Sequence, residues 1–127
     1  MTFSYSPIFT QTIKSNTTQI TAANISRTAP SNGSTIYSSG TNGSLVNYVN
    51  CHWATSNVAG LIFLFTYDGT NYRLINEYST TATTPSSTVP GFSLNIPLNF
   101  TIQSGYSLYI TNYNAETVNF YCQGSDY

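Results

Sequence analysis

The chain has 127 residues, one domain's worth, of which only three are basic and four acidic, giving a net charge of -1. Globular proteins usually carry about a quarter charged residues, and this scarcity excludes both the basic footprint that nucleic acid requires and the basic face of a membrane-surface helix. At this length folding buries roughly two thirds of the unfolded chain's surface, so a core of its own is within reach.

Along the chain, residues 1–17 show weak strand alternation, with Tyr5, Pro7, Ile8 and Phe9 as isolated apolar anchors. They are expected to form an extended arm ahead of a domain spanning 18–127, an arm that packs along its own domain or reaches a partner. The opening MTFSYSPIFTQT has no basic start followed by an apolar stretch, so synthesis and folding in the cytoplasm are expected, with the Asn-x-Ser/Thr triplets unmodified. The longest apolar run, VAGLIFLF at 58–65, is strand-sized and far from the roughly 20 residues that span a bilayer.

No helical period persists over three turns. Short Thr/Tyr/Val/Ile-rich runs between Gly, Pro, Asn and Ser clusters predict an all-β chain, a single β-sandwich of jelly-roll-like or Ig-like type. About eight strands are expected, near 18–25, 35–38, 45–54, 59–67, 72–80, 91–96, 106–112 and 117–123. The Thr-rich stretch TTATTPSSTVP, broken by Pro85 and Pro90, reads as a connection between strands.

Alternation assigns faces. Val49, Cys51 and Trp53 point to the core while Tyr48, Asn50 and His52 point away; Val118, Phe120 and Cys122 alternate likewise with Asn119, Tyr121 and Gln123, and Tyr106, Leu108 and Ile110 share an inward face. Ile62 and Leu64 also face the core, yet Leu61, Phe63 and Phe65 make the opposite side of that strand apolar too. A strand apolar on both sides needs two covers. The second is expected to be a loop, an arm or a neighbouring subunit.

Between the fourth and fifth strands stands Asp68-Gly69-Thr70-Asn71. Gly69 can adopt a positive φ, and Asp68 and Asn71 can bond the turn's own amides, so a hairpin bend accounts for the tetrad without a ligand. Catalytic chemistry is sparse. His52 is the single histidine, on an outward strand position, with no second histidine from which to build a zinc site. No Gly-x-Ser-x-Gly elbow leads into a helix, the four carboxylates form no local pair, and DGTN offers one carboxylate where a calcium loop wants several. Cys51 and Cys122 lack the spacing of a zinc ribbon or redox dithiol and are expected to be free core thiols, with mutual proximity or a bond as the alternative. A protein without enzymatic activity, cofactor or metal is expected.

Three stretches, SSGTNGSLVNYV (38–49), VAGLIFLFTYDGTNYRLINEYSTTATTPSSTVPGFSLNIPL (58–98) and SGYSLYITNYNAETVNFYCQGSDY (104–127), together resemble a family of small β-rich virion proteins of tailed bacteriophages. The ordered parts are a TNGS corner, a DGTNYRL hairpin, a Thr-Pro connection, a GYSL strand, an NAET turn and a glycine-acid-aromatic tail; SPIFTQTIK is similar to the arm preceding such domains. The resemblance implies a virion component, foremost a capsid decoration or auxiliary protein, or else a small tail or fibre subunit. It would be made in the host cytoplasm and held to the major capsid protein or other virion subunits as a homo-oligomer, a trimer by analogy, without nucleic acid or membrane. The resemblance brings no catalytic residues with it. Candidate subunit or capsid contacts are Tyr5, Ile8, Phe9, Tyr48, Phe63 and Tyr121. The competing reading is a carbohydrate- or receptor-binding sandwich of a tail or fibre, with Trp53, Tyr72, Asp68 and Asn71 as its candidates.

Overall fold

A computed structural model describes residues 9–127. Its eight strands are β1 (Thr12–Ile20), β2 (Ser34–Ser38), β3 (Ser44–Trp53), β4 (Gly60–Tyr67), β5 (Tyr72–Thr80), β6 (Ser93–Ile102), β7 (Ser107–Asn112) and β8 (Val118–Asp126). They form two four-stranded antiparallel sheets, ordered β1-β8-β3-β6 and β2-β7-β4-β5, packed as a β-sandwich. Within the sheets β1 pairs with β8, β2 with β7, β3 with β6 and β4 with β5, as if one long hairpin had been rolled up. Of the two sandwich types the sequence admits, this order is the jelly roll.

The core lies between the sheets. Val49, Cys51 and Trp53 of β3, Phe120 and Cys122 of β8, Ile62 and Leu64 of β4, and Leu108 and Ile110 of β7 all face it and are buried, as alternation predicts. Register is strongly held here, since a one-residue slip would turn an entire apolar set outward. Tyr106, expected to share the inward face of β7, lies before that strand and is exposed.

The largest departures from the expected bounds are at β1 and β6, and β8 also runs three residues further, to Asp126. Where the sequence starts the first strand at 18, the structure starts it at Thr12, so Thr12–Thr17 belong to the sandwich, paired with Tyr121–Asp126 of β8. These residues escape pattern reading because β1 is an edge strand whose inward positions are partly polar: Lys14 and Asn16 reach across to β2, donating to the carbonyls of Ser38 (2.6 Å) and of Thr35 and Ile36 (3.3 and 3.2 Å). Their side chains bond the otherwise open edge of the facing sheet. Strand β6 likewise runs to Ile102, beyond the expected end at 96. Pro97 is tolerated there because β6 is an edge strand, and the register shift opposite Val46–Tyr48 accommodates Asn99 at φ 52.

Candidate functional site

With the core accounted for, three outward surfaces remain: the two outer sheet faces and the open side of the sandwich. The outer face of β2-β7-β4-β5 is built on aromatic residues. Phe63 and Phe65 alternate away from the core, yet each is 0% exposed. The connection between β1 and β2, residues 21–33, lies over this sheet. Asn24 anchors it, donating its backbone N–H to Asn112 O (2.9 Å) and its side-chain amide to Thr111 Oγ1 (3.1 Å), while Gly33 N–H donates to the Tyr109 hydroxyl (2.7 Å). Between these anchors the Arg27 guanidinium sits 5.1 Å from the Phe63 ring centroid and pairs with Glu77. Tyr113 meets Phe63 edge-on from the other side. The second cover that β4 demands is thus a loop of its own chain, which corrects the expectation that Phe63 contacts another subunit.

The aromatic row continues toward the β4–β5 hairpin through Phe65, Tyr109 and Tyr72 to Tyr67, whose ring stacks on Tyr72 at 4.3 Å. There Asp68 Oδ1 accepts the amides of Thr70 (2.9 Å) and Asn71 (2.7 Å), and Gly69 takes φ 98. Those amides, Asn71's first, hold the Asp68 carboxyl below its ordinary pKa. The tetrad is therefore a bend closed by its own side chain. Trp53, the remaining candidate for sugar contact, is fully buried in the opposite sheet, where its indole N–H donates to Glu116 Oε1 (3.0 Å) and its ring packs on Phe92. Glu116 also accepts from Val58 N (2.7 Å) and Asn112 Nδ2 (3.1 Å), tying three segments together. Trp53 does not join Asp68, Asn71 and Tyr72 in one site.

The outer face of β1-β8-β3-β6 has the opposite character. Register places Gln19, Asn119, His52 and Ser93 in one row across the four strands, Thr17, Tyr121, Asn50 and Asn95 in the next, and Ser15, Gln123, Tyr48 and Pro97 in a third. No charged side chain stands in these rows. Tyr48 and Tyr121 come together at their centre, ring centroids 6.0 Å apart, with Tyr48 donating to Gln123 Oε1 (3.1 Å). Tyr121 is 36% exposed and Tyr48 half-buried. Beside Tyr121 a shallow hollow of about 500 Å³ is lined by Gln19, Asn50, His52 and Asn119. His52 Nδ1 lies 2.5 Å from Ser93 Oγ, a contact that follows from their being cross-strand partners.

Of the other candidate contacts, Tyr5 and Ile8 lie outside the described residues. Phe9 is 72% exposed. It lines a groove of about 770 Å³ together with Gly43, Thr101, Gln103 and Tyr127 at one end of the sandwich. A polar cluster that sequence reading missed sits near the same end. Asp126 accepts from Ser44 Oγ (2.6 Å) and Tyr37 OH (2.9 Å) on one carboxylate oxygen and from Lys14 Nζ (3.2 Å) on the other. Burial pushes this carboxyl up, but the hydrogen bonds from Ser44, Tyr37 and Lys14 together outweigh it and leave the pKa below the ordinary value. Burial first, then the bond to Asp126, pushes the Tyr37 hydroxyl up to about 12. Gly124 makes the arrangement possible, since a Cβ there would stand 2.8 Å from the Tyr37 ring.

Cys51 and Cys122 are free and buried, with burial raising both thiols, Cys122 to about 12. Among the described residues no three His, Cys, Asp or Glu side chains are grouped to hold a metal ion, and no helix is long and apolar enough to cross a membrane. No protein-family model matches the sequence, and no curated protein matches it either.

Proposed function

We propose that this is a non-enzymatic structural protein of a bacteriophage virion, a capsid decoration or auxiliary protein that attaches to the particle through protein–protein contacts. The observation that carries the reading is the outer face of β1-β8-β3-β6: uncharged, not covered by any loop among the described residues as the other sheet is, and centred on the paired rings of Tyr48 and Tyr121. Tyrosine supplies a large, rigid, amphipathic contact at low entropic cost. A standard contact buries about 800 Å² per partner, and many copies on a lattice convert modest individual contacts into durable attachment. Attachment of this kind is insensitive to salt, because there is little charge to screen. The resemblance of the TNGS, DGTNYRL and NAET elements to phage virion proteins points the same way. So does the jelly roll, an architecture that capsid and lectin domains share, although fold alone assigns no function. In this reading the partners are the major capsid protein or other virion subunits, the protein is a homo-oligomer, preferentially a trimer, and its location is the capsid surface.

The test is co-sedimentation of the purified protein with phage particles lacking it, at low and high salt. Retention that persists in high salt and is lost in Tyr121→Ala supports attachment by this face; a protein that stays in the supernatant overturns the reading.

The hollow beside Tyr121 favours one second reading, a receptor-binding domain for a neutral glycan. Amides and hydroxyls without charge, next to an exposed aromatic ring, suit a polyhydroxylated ligand. Glycan-array binding without particle retention would select it.

A further inference from the structure

The two long sides of the sandwich are finished differently. On one, Lys14 and Asn16 bridge β1 to β2. On the other, the edge strands β5 and β6 stand apart around a cleft of about 550 Å³, lined by Leu64, Ile75, Tyr78, Leu98, Phe100 and Tyr106. Its apolar side chains include Ile75, 44% exposed, and Tyr106, 38% exposed. The cleft is continuous with the groove at Phe9, since Thr101, Ile102 and Gln103 line both.

We propose that this cleft receives the N-terminal residues 1–8 of a second copy of the chain. Gln11 N–H is fixed to Asp126 O at 2.7 Å, and Phe9, two residues earlier, lies along the groove yet remains 72% exposed. The described part of its own domain thus leaves the Phe9 ring for a neighbouring copy to cover. The preceding residues, MTFSYSPI, bring Phe3, Tyr5 and Ile8 and no charged side chain, matching a cleft whose walls are also without charge. Eight extended residues reach about 28 Å at most, enough to cross to an adjoining domain. Docking is by side chains more than by an added strand, because Pro97 lacks an N–H, Asn99 interrupts β6, and Arg73 and Glu77 guard β5. An arm given to one neighbour and a cleft offered to another is a head-to-tail contact, which closes into a ring when the rotation allows. The inference rests on the proposed homo-oligomer and supplies its contact.

Analytical ultracentrifugation tests it with the full chain, a chain lacking residues 1–8, and Ile75→Glu, with Tyr106→Arg as an independent cleft variant. All eight strands lie within 9–127, so the deletion retains the fold, checked by circular dichroism. The full chain should self-associate reversibly, and each variant should do so at least about tenfold more weakly. Mixing the deletion with Ile75→Glu should restore pairing, one giving the cleft and the other the arm. A full chain that stays monomeric, with the deletion merely lowering its melting temperature, places the arm in its own cleft and overturns the inference, as does an oligomer that survives the deletion. Particle co-sedimentation is scored separately: loss of particle attachment with arm-dependent association intact sinks the virion reading alone, and the reverse result sinks only the arm contact.

Discussion

The two sheets have the same strand count and the same antiparallel pairing, yet their outer faces differ. One presents Asn119, Tyr121 and Gln123 in alternation with core residues; the other presents Phe63, Phe65 and Tyr109. The first needs no cover, and the second is covered by residues 21–33, pinned through Asn24, Arg27 and Gly33. An apolar outward face is therefore not by itself a partner site. A long connection between strands can supply the cover in cis, which leaves the quieter face, whose two tyrosines sit among amides, as the surface that the proposed attachment would use.

The largest expected effect is that of Phe63→Ala. Removing a fully buried aromatic ring should cost about 3–5 kcal/mol, read as a lower urea midpoint, while Tyr121→Ala should cost less than about 1 kcal/mol and act on attachment instead. Equal costs for the two would mean that the loop is no true cover.

Arg27→Ala sharpens the same point on a smaller scale. The guanidinium is half exposed, so its contact with the Phe63 ring and its ion pair with Glu77 should together contribute about 1 kcal/mol. The lid should also loosen, seen as faster amide exchange in β4 without a change in the exchange of β3.

The closed β1/β2 side is expected to respond to pH at both ends of the scale. Asp126 has a depressed pKa in the folded chain, so its contribution is present above the unfolded carboxyl value of about 3.9 and is lost as pH falls through the folded value. Tyr37 is raised to about 12, so its contribution is present below the unfolded value of about 10 and is lost as pH rises from there through 12. Melting temperature followed from pH 5 to 2 should fall less in Asp126→Asn than in the parent. Between pH 9 and 12 it should fall less in Tyr37→Phe.

The same contrasts explain what could be read from the sequence. Strands β3 and β8 are legible because the core takes alternate residues, so Val49, Cys51 and Trp53, or Val118, Phe120 and Cys122, repeat at period two, whereas β4 is legible as a short continuous apolar run buried on both faces. The outward direction of Phe63 was legible as well, but not its cover, because the residues that form the lid are polar and look like any loop. The first part of β1, Thr12–Thr17, is hidden because two of its inward positions, Lys14 and Asn16, serve carbonyls of β2 and not the core. The Asp126 cluster is invisible for a different reason: Ser44, Tyr37 and Lys14 lie 82 to 112 residues away from it in sequence, and only the pairing of β8 with both β1 and β3, with β2 packed opposite, brings them together.

The smallest effect concerns the polar tip of the aromatic row. Asp68 accepts two amides within its own turn and touches no other segment by hydrogen bonding through its carboxylate. An asparagine keeps an oxygen for the same two amides, and Gly69, which supplies the positive φ, is untouched. Asp68→Asn should therefore leave the melting temperature and both particle and glycan binding unchanged within error. Tyr67 and Tyr72 stack immediately beside the turn, so a ligand at this tip would have an aromatic platform ready for it. A loss of binding in Asp68→Asn without loss of stability would consequently move the recognition surface from the bare sheet face to the end of the covered one.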